Sequence, residues 1–173
     1  LLLYSGNDAA TAIAEYVGGS EEAFVNMMNR RAQELMANGT HFMNPHGLHD
    51  DNHYTTAYDL YLIFNECIKH EDFVNIIQSE AYTAYYTDVD GNSQEALFTP
   101  TNLYAQGEVD VPENVTIVGG KTGTTDEAGY CLILMEKDSS DNPYISIVMG
   151  ASEKPVLYED MTSLIEAIPS GQQ

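Results

Sequence analysis

Val118-Gly119-Gly120-Lys121-Thr122-Gly123-Thr124-Thr125 lies between a β-branched run, Val115-Thr116-Ile117-Val118, and a second apolar run, Tyr130-Cys131-Leu132-Ile133-Leu134-Met135. This pattern predicts the end of one strand, a short connection and the next strand. Lys121 is one of only six basic residues in a chain with 27 acidic ones. A lysine between glycines lets backbone and ammonium together approach an anion such as a carboxylate. The hydroxyls of Thr122 and Thr124 add neutral donors beside it. A glycine-rich hairpin with a solvated lysine would have the same local sequence, so the triplet counts only with its context.

That context lies at the other end of the chain. Ser5-Gly6-Asn7 precedes an alanine-rich helical segment, Asp8 to Tyr16. Serine, one residue, then asparagine, paired with a downstream Lys-Thr-Gly, resembles the penicillin-recognising serine acyl-transferases, whose third motif is Ser-x-x-Lys. Thr40 to Leu48 (THFMNPHGL), His53 to Leu60 (HYTTAYDL) and Glu127 to Leu132 (EAGYCL) are similar to the D-alanyl-D-alanine carboxypeptidases, the low-molecular-mass penicillin-binding proteins that trim peptidoglycan stem peptides. Thr101-Asn102-Leu103 looks like the family's segment before the active-site strand, and the resemblance runs from Ser5 to about Ala151.

The Ser-x-x-Lys motif is absent. The residues three before Lys69, Lys121, Lys137 and Lys154 are Glu66, Val118, Leu134 and Ala151. The chain opens on Leu1-Leu2-Leu3-Tyr4, which reads as the inside of an apolar helix. The expectation is a C-terminal piece of a longer enzyme, without its nucleophile and inactive alone.

The resemblance implies an acyl-enzyme mechanism in which the absent serine attacks the carbonyl between two terminal D-alanines and water releases the product. Ser5 would pass protons between the nucleophile region and Lys121, and Asn7 would hold the substrate amide. Lys121, Thr122 and Thr124 would grip the terminal carboxylate. The Thr124 backbone N–H would contribute to the oxyanion hole, and Gly123 would let substrate lie along the strand edge. β-Lactams would inhibit the parent enzyme. The resemblance also implies export to the outer face of the cytoplasmic membrane or the cell wall.

Composition sets wider bounds. One domain, 1–168, with a frayed tail at 169–173, suits the length. The 43% apolar content supplies a core, and the net charge of −21 opposes nucleic acid and anionic membrane surfaces as partners. That charge does not oppose a local positive site, because salt screens it beyond about 8 Å. No apolar run approaches the ~18 residues of a membrane span. Cys67 and Cys131 sit in apolar contexts as free thiols, with a disulfide left open. No cofactor is implied. His41, His46, His49 and His53 crowd one loop, but their spacing matches no common zinc pattern, and hydrogen bonding within the loop is the expectation.

The element order predicts an α+β fold, a helical part packed with an antiparallel sheet. Asn7 or Asp8 caps a first helix ending at Gly18-Gly19, and Ser20 caps a second. Phe24, Met27, Met28, Ala32, Leu35 and Met36 give the second helix one buried face, and Asn38-Gly39 ends it. Thr55 or Thr56 opens a third helix with the stripe Leu60, Ile63, Phe64, Cys67, Ile68, and residues 72–77 form a fourth. Residues 81–87 and 96–99 make a hairpin with half-buried tyrosines. Strands follow at about 115–122, 129–137 and 144–150, then a helix from Leu157 to Ile168. With two strands of the family's sheet missing, an edge and an apolar face would be exposed, open to self-association. Two other readings stand beside the carboxypeptidase. A class A-like β-lactamase would need a Glu-x-x-Leu-Asn loop, and no Leu-Asn pair occurs. A non-catalytic, peptidoglycan-binding remnant of the fold would need no nucleophile.

Overall fold

The computed structural model of the protein describes residues 1–169, so the tail expected at 169–173 lies, from residue 170 on, outside the described residues. Helix α1 spans Asn7–Gly18 and α2 spans Glu21–Glu34. The two helices pack on each other, and on α1 Ala10 and Ala14, one turn apart, are fully buried. The turn between them is tight, and a Cβ at Gly18 would stand 2.7 Å from the Phe24 backbone nitrogen. Ser20 caps α2 by accepting from the Ala23 N–H at 3.1 Å. Helix α1 departs from expectation. Its cap is Gly6, while Asn7 and Asp8 already lie in the first turn, where Asp8 accepts from the Ala9 N–H at 2.8 Å. Leu1 to Ser5 is a single turn closed by Ser5 N–H to the Leu1 carbonyl (2.7 Å), not the inside of a helix.

The stripe on α2 is apolar but not covered. Only Ala32 is fully buried, and Phe24, Met28, Leu35, Phe42 and Ile63 line an open groove of about 500 Å³. The helix also stops early. Leu35 caps it and Met36 takes φ 63°, ahead of the expected Asn38-Gly39. Helix α3, Ala57–Cys67, is capped by Thr56, whose hydroxyl accepts from the Asp59 N–H at 3.1 Å. Asp59 itself is buried and accepts from the Thr40 hydroxyl at 2.7 Å, tying the histidine loop to α3. Helix α4 spans Glu71–Ile77.

Two antiparallel sheets follow. The first is a hairpin of β1, Tyr82–Thr87, and β2, Ser93–Phe98, turned by Asp88 at its neck. Its tyrosines are more exposed than expected (Tyr85 is 78% accessible), because the hairpin stands off the body rather than packing one face on it. After the short α5, Leu103–Gln106, the second sheet runs β3, Val115–Thr125, β4, Gly129–Asp138, and β5, Pro143–Ala151, in the order β3-β4-β5. Successive side chains alternate between its faces. Leu132 and Leu134 pack under α6, Lys154–Glu166, with Met161 and Ile165. Met135 packs on the other face with Phe64 and Ile77. The sheet is therefore sandwiched, and the expected exposed apolar face is found instead on the helices, where Tyr16 and Val17 of α1 are 91% and 53% accessible. The last helix begins three residues before the expected Leu157 because Pro155 suits a first turn.

Candidate functional site

Strand β3 carries the lysine motif at an edge. Among the described residues it pairs with β4 alone, in a register that sets Thr122 opposite Leu132 and Thr124 opposite Tyr130. Over its face at Gly123 there is room as well: a Cβ built there would meet nothing within 4 Å. Gly119 and Gly120 are the reverse case, pressed against the backbone of Ile77 and Ile133. The glycines thus do two jobs within five residues, seating the strand and leaving its face clear.

The turn before α1 brings Ser5 to this strand across 116 residues of sequence. Lys121 Nζ donates to Ser5 Oγ at 2.9 Å and to the Thr122 carbonyl at 2.6 Å. Ser5 holds this place with φ 66°, a left-handed conformation that costs a non-glycine residue of order 1–3 kcal/mol and is concentrated at functional sites. Burial lowers the Lys121 ammonium from its ordinary value. Among the described residues no carboxylate forms an ion pair with Lys121, although the chain carries 27 of them. An unpaired, desolvated cation in an acidic protein is a place for an outside anion.

Ser5, Thr101, Thr122, Gly123 and Thr124 share one cleft of about 270 Å³, with Lys154 at its rim. Of the residues named from sequence, Ser5, Lys121, Thr122, Gly123 and Thr124 are brought together. Asn7 is exposed in the first turn of α1 and does not line the cleft. Gly123 and Thr124 also border a second cavity of about 460 Å³ beneath the histidine loop, lined by His53, Tyr54 and Cys131. The histidines there work as loop struts. His41 Nδ1 bonds the Asn52 carbonyl at 2.7 Å, and His53 Nδ1 accepts from the Met43 N–H at 3.1 Å. Burial lowers the His53 imidazole, which favours that acceptor role. Both cysteines are free and half-buried.

Two further cleft residues stand outside the predicted site set: Lys154 carries no sequence signal, and Thr101 is marked only by the resemblance of Thr101-Asn102-Leu103 to the family's segment before the active-site strand. Thr101 and Lys154 arrive through the docking of α6, which no local pattern encodes. Tyr158 on α6 accepts from the Leu103 N–H at 2.9 Å and so pins the segment that bears Thr101. Tyr158→Phe leaves that N–H without an acceptor and is expected to cost about 1–3 kcal/mol, read as a lower urea midpoint at unchanged slope.

The chain is 33% identical over 166 residues to the D-alanyl-D-alanine carboxypeptidase DacF of Bacillus subtilis, covering 96% of this chain and 40% of that protein. It is 34% identical over 148 residues to DacA of Escherichia coli, covering 86% of this chain and 33% of that one. The crystal structure of a Streptomyces DD-transpeptidase superposes with a TM-score of 0.84 at 26% identity, over 95% of this chain and 63% of that one. The chain thus spans about two fifths of the DacF length and under two thirds of the solved structure. The sequence matches the D-alanyl-D-alanine carboxypeptidase family over residues 1–153, and with the helical-plus-antiparallel architecture in common, the chain belongs to that family.

Proposed function

We propose that the chain forms the substrate-cradling part of a serine-type D-alanyl-D-alanine carboxypeptidase that acts on peptidoglycan stem peptides, outside the cytoplasmic membrane, through an acyl-enzyme. The contact between Lys121 and Ser5 over an open strand edge carries this reading. A peptide ending in D-Ala-D-Ala has a terminal carboxylate and an extended backbone. The carboxylate meets the unpaired Lys121 ammonium with the hydroxyls of Thr122 and Thr124 beside it. The backbone adds to the free edge of β3, and Gly123 leaves the face beside that edge clear. The Thr124 N–H lies on the same strand as an oxyanion donor. Ser5, already bonded to Lys121, is placed to pass a proton to the departing amine. No Ser-x-x-Lys occurs in these 173 residues. The acyl-forming serine is therefore external to them, and this chain binds without turning over.

The test is a titration of the isotopically labelled chain with an N-acetylated stem-peptide analogue ending in D-Ala-D-Ala, followed by amide chemical shifts. Shifts are expected at Ser5 and Thr122 to Thr125, and none with the L-Ala-L-Ala epimer. Lys121→Ala removes a charged partner worth about 1.5–3 kcal/mol, so binding should weaken about 10- to 100-fold. Equal binding of both epimers would sink the reading. Incubation with a fluorescent penicillin is expected to leave no covalent label on this chain. A labelled serine would overturn the account of the nucleophile.

A further inference from the structure

Thr101 lies on the segment between β2 and β3, 20 residues before Lys121, and its hydroxyl is 2.5 Å from that of Thr122. The segment is anchored independently of that contact. Asn102 caps α5 by accepting from the Tyr104 N–H at 3.0 Å. The Leu103 N–H donates to Tyr158, and Gln106 Nε2 donates to the Pro100 carbonyl at 2.7 Å. The Tyr104 hydroxyl bonds that of Thr162 at 2.7 Å, and Asn102 and Tyr104 are both buried. Thr101 itself is half-buried and lines the cleft beside Ser5 and Thr122. A rigid platform therefore holds one hydroxyl against the threonine of the lysine motif.

The hydrogen-bond count at Thr122 decides what that contact does. A hydroxyl has one proton to give and two lone pairs to receive with. Thr122 donates either to Thr101 or into the cleft, not to both. An anion in the cleft favours the second choice, and Thr101 then becomes the donor of the pair. The result is a polarised chain, from Thr101 O–H to Thr122 O–H to carboxylate, in which each bond strengthens the next.

We propose that Thr101 is a positioning residue for carboxylate recognition: by donating to Thr122 Oγ1 it aims the Thr122 proton at the terminal carboxylate of the bound peptide. This inference rests on the carboxylate-cradle reading above, and its test separates the two. Ligand affinity is measured by titration of the 173-residue chain with the D-Ala-D-Ala analogue and with its C-terminal carboxamide, which keeps the shape and loses the charge. Thr101→Val, which keeps the side-chain shape without the hydroxyl, is expected to weaken the carboxylate ligand about five- to tenfold, as for one lost hydrogen bond. The carboxamide should change less than twofold. Thr101→Ser should restore the carboxylate affinity. Thr122→Val combined with Thr101→Val should bind no more weakly than Thr122→Val alone, because the first loss contains the second.

Thr101→Ala is read in the same way should valine disturb the fold, with urea unfolding recorded for each variant. Equal weakening of both ligands, no weakening of either, failure of serine to restore, or additive losses in the double variant would each overturn the assignment. If the unaltered chain and Thr122→Val bind the two ligands alike, the cradle reading itself falls, whatever Thr101→Val does.

Discussion

Glu136→Gln should flatten the pH profile of stability, which in the unaltered chain falls by about 3 kcal/mol between pH 5.5 and 8.5. Glu136 sits in the middle sheet strand, β4, with no solvent exposure, and neither carboxyl oxygen has a well-formed hydrogen bond among the described residues. It shares the α6 face of the sheet with Leu132 and Leu134. Tyr144 stands opposite it in register, with Ser146 and Tyr104 nearby. The Ser146 hydroxyl and local backbone dipoles offset desolvation only in part. Burial pushes the carboxyl from 4.5 up to about 8.

A group whose folded value is raised above its unfolded one stabilises fully below the unfolded value. That stability is lost as pH climbs through the folded value. The window here opens near 4.5 and closes near 8. At about 1.4 kcal/mol per pH unit, the part between 5.5 and 8 is on the order of 3 kcal/mol. Glutamine has nearly the same shape and does not titrate. Urea unfolding at the two pH values measures both proteins. Self-repulsion in a chain of net charge −21 also grows with pH, but it is common to both proteins and cancels in the comparison. Parallel loss in both would show that Glu136 is not the titrating group.

Glu136 also marks where sequence reading reaches its limit. The run Tyr130 to Met135 announced an apolar strand, and the strand is there. The next residue continues on the buried face as a carboxylate, and no pattern of hydrophobicity predicts a charge in a core. The α2 stripe errs the other way. A 3.6-residue period says that a helix has an apolar face, but not whether the chain in hand supplies its cover, and Met27 and Met36 are exposed. The cap of α1 was misplaced because Ser5, turned left-handed to reach Lys121, shifts the cap to Gly6. A long-range contact, Ser5 with Lys121, coincides with the loss of the side-chain cap expected there. The strands of the main sheet were legible because glycine, β-branched runs and turn residues punctuate them. The meeting of Ser5 with Lys121 was legible only through the resemblance, since nothing local links residues 116 apart. The place of Thr101 is likewise legible only through the resemblance of Thr101-Asn102-Leu103 to the family's segment before the active-site strand, and Lys154 has no motif to reveal it.

Gly120→Ala and Gly123→Ala, three residues apart on one strand, should have opposite effects. A Cβ at Gly120 would lie 2.0 Å from the Ile133 carbonyl oxygen, and one at Gly119 would lie 2.2 Å from that of Ile77. These are backbone atoms of the neighbouring strand and of the end of α4, so neither can swing aside. Relief requires β3 to part from β4 next to the bulge between Ile117 and Gly119. We expect Gly120→Ala to cost about 3 kcal/mol or more, a fall of roughly 6–12 °C in thermal midpoint for a chain of this size. At Gly123 the added methyl meets open space, so the midpoint should move by no more than a degree or two, about 0.5 kcal/mol. That space lies over the face of β3 that also carries Lys121, beside the edge where an added peptide strand would lie. Gly123→Ala should therefore weaken the D-Ala-D-Ala analogue at least about tenfold while leaving the fold intact. Circular dichroism melts and the same ligand titration read both effects. A stable Gly123→Ala chain that binds like the unaltered one would remove strand addition along β3 from the mechanism. A Gly120→Ala chain that melts normally would mean that the close approach of β3 and β4 is not what holds Lys121 at the cleft.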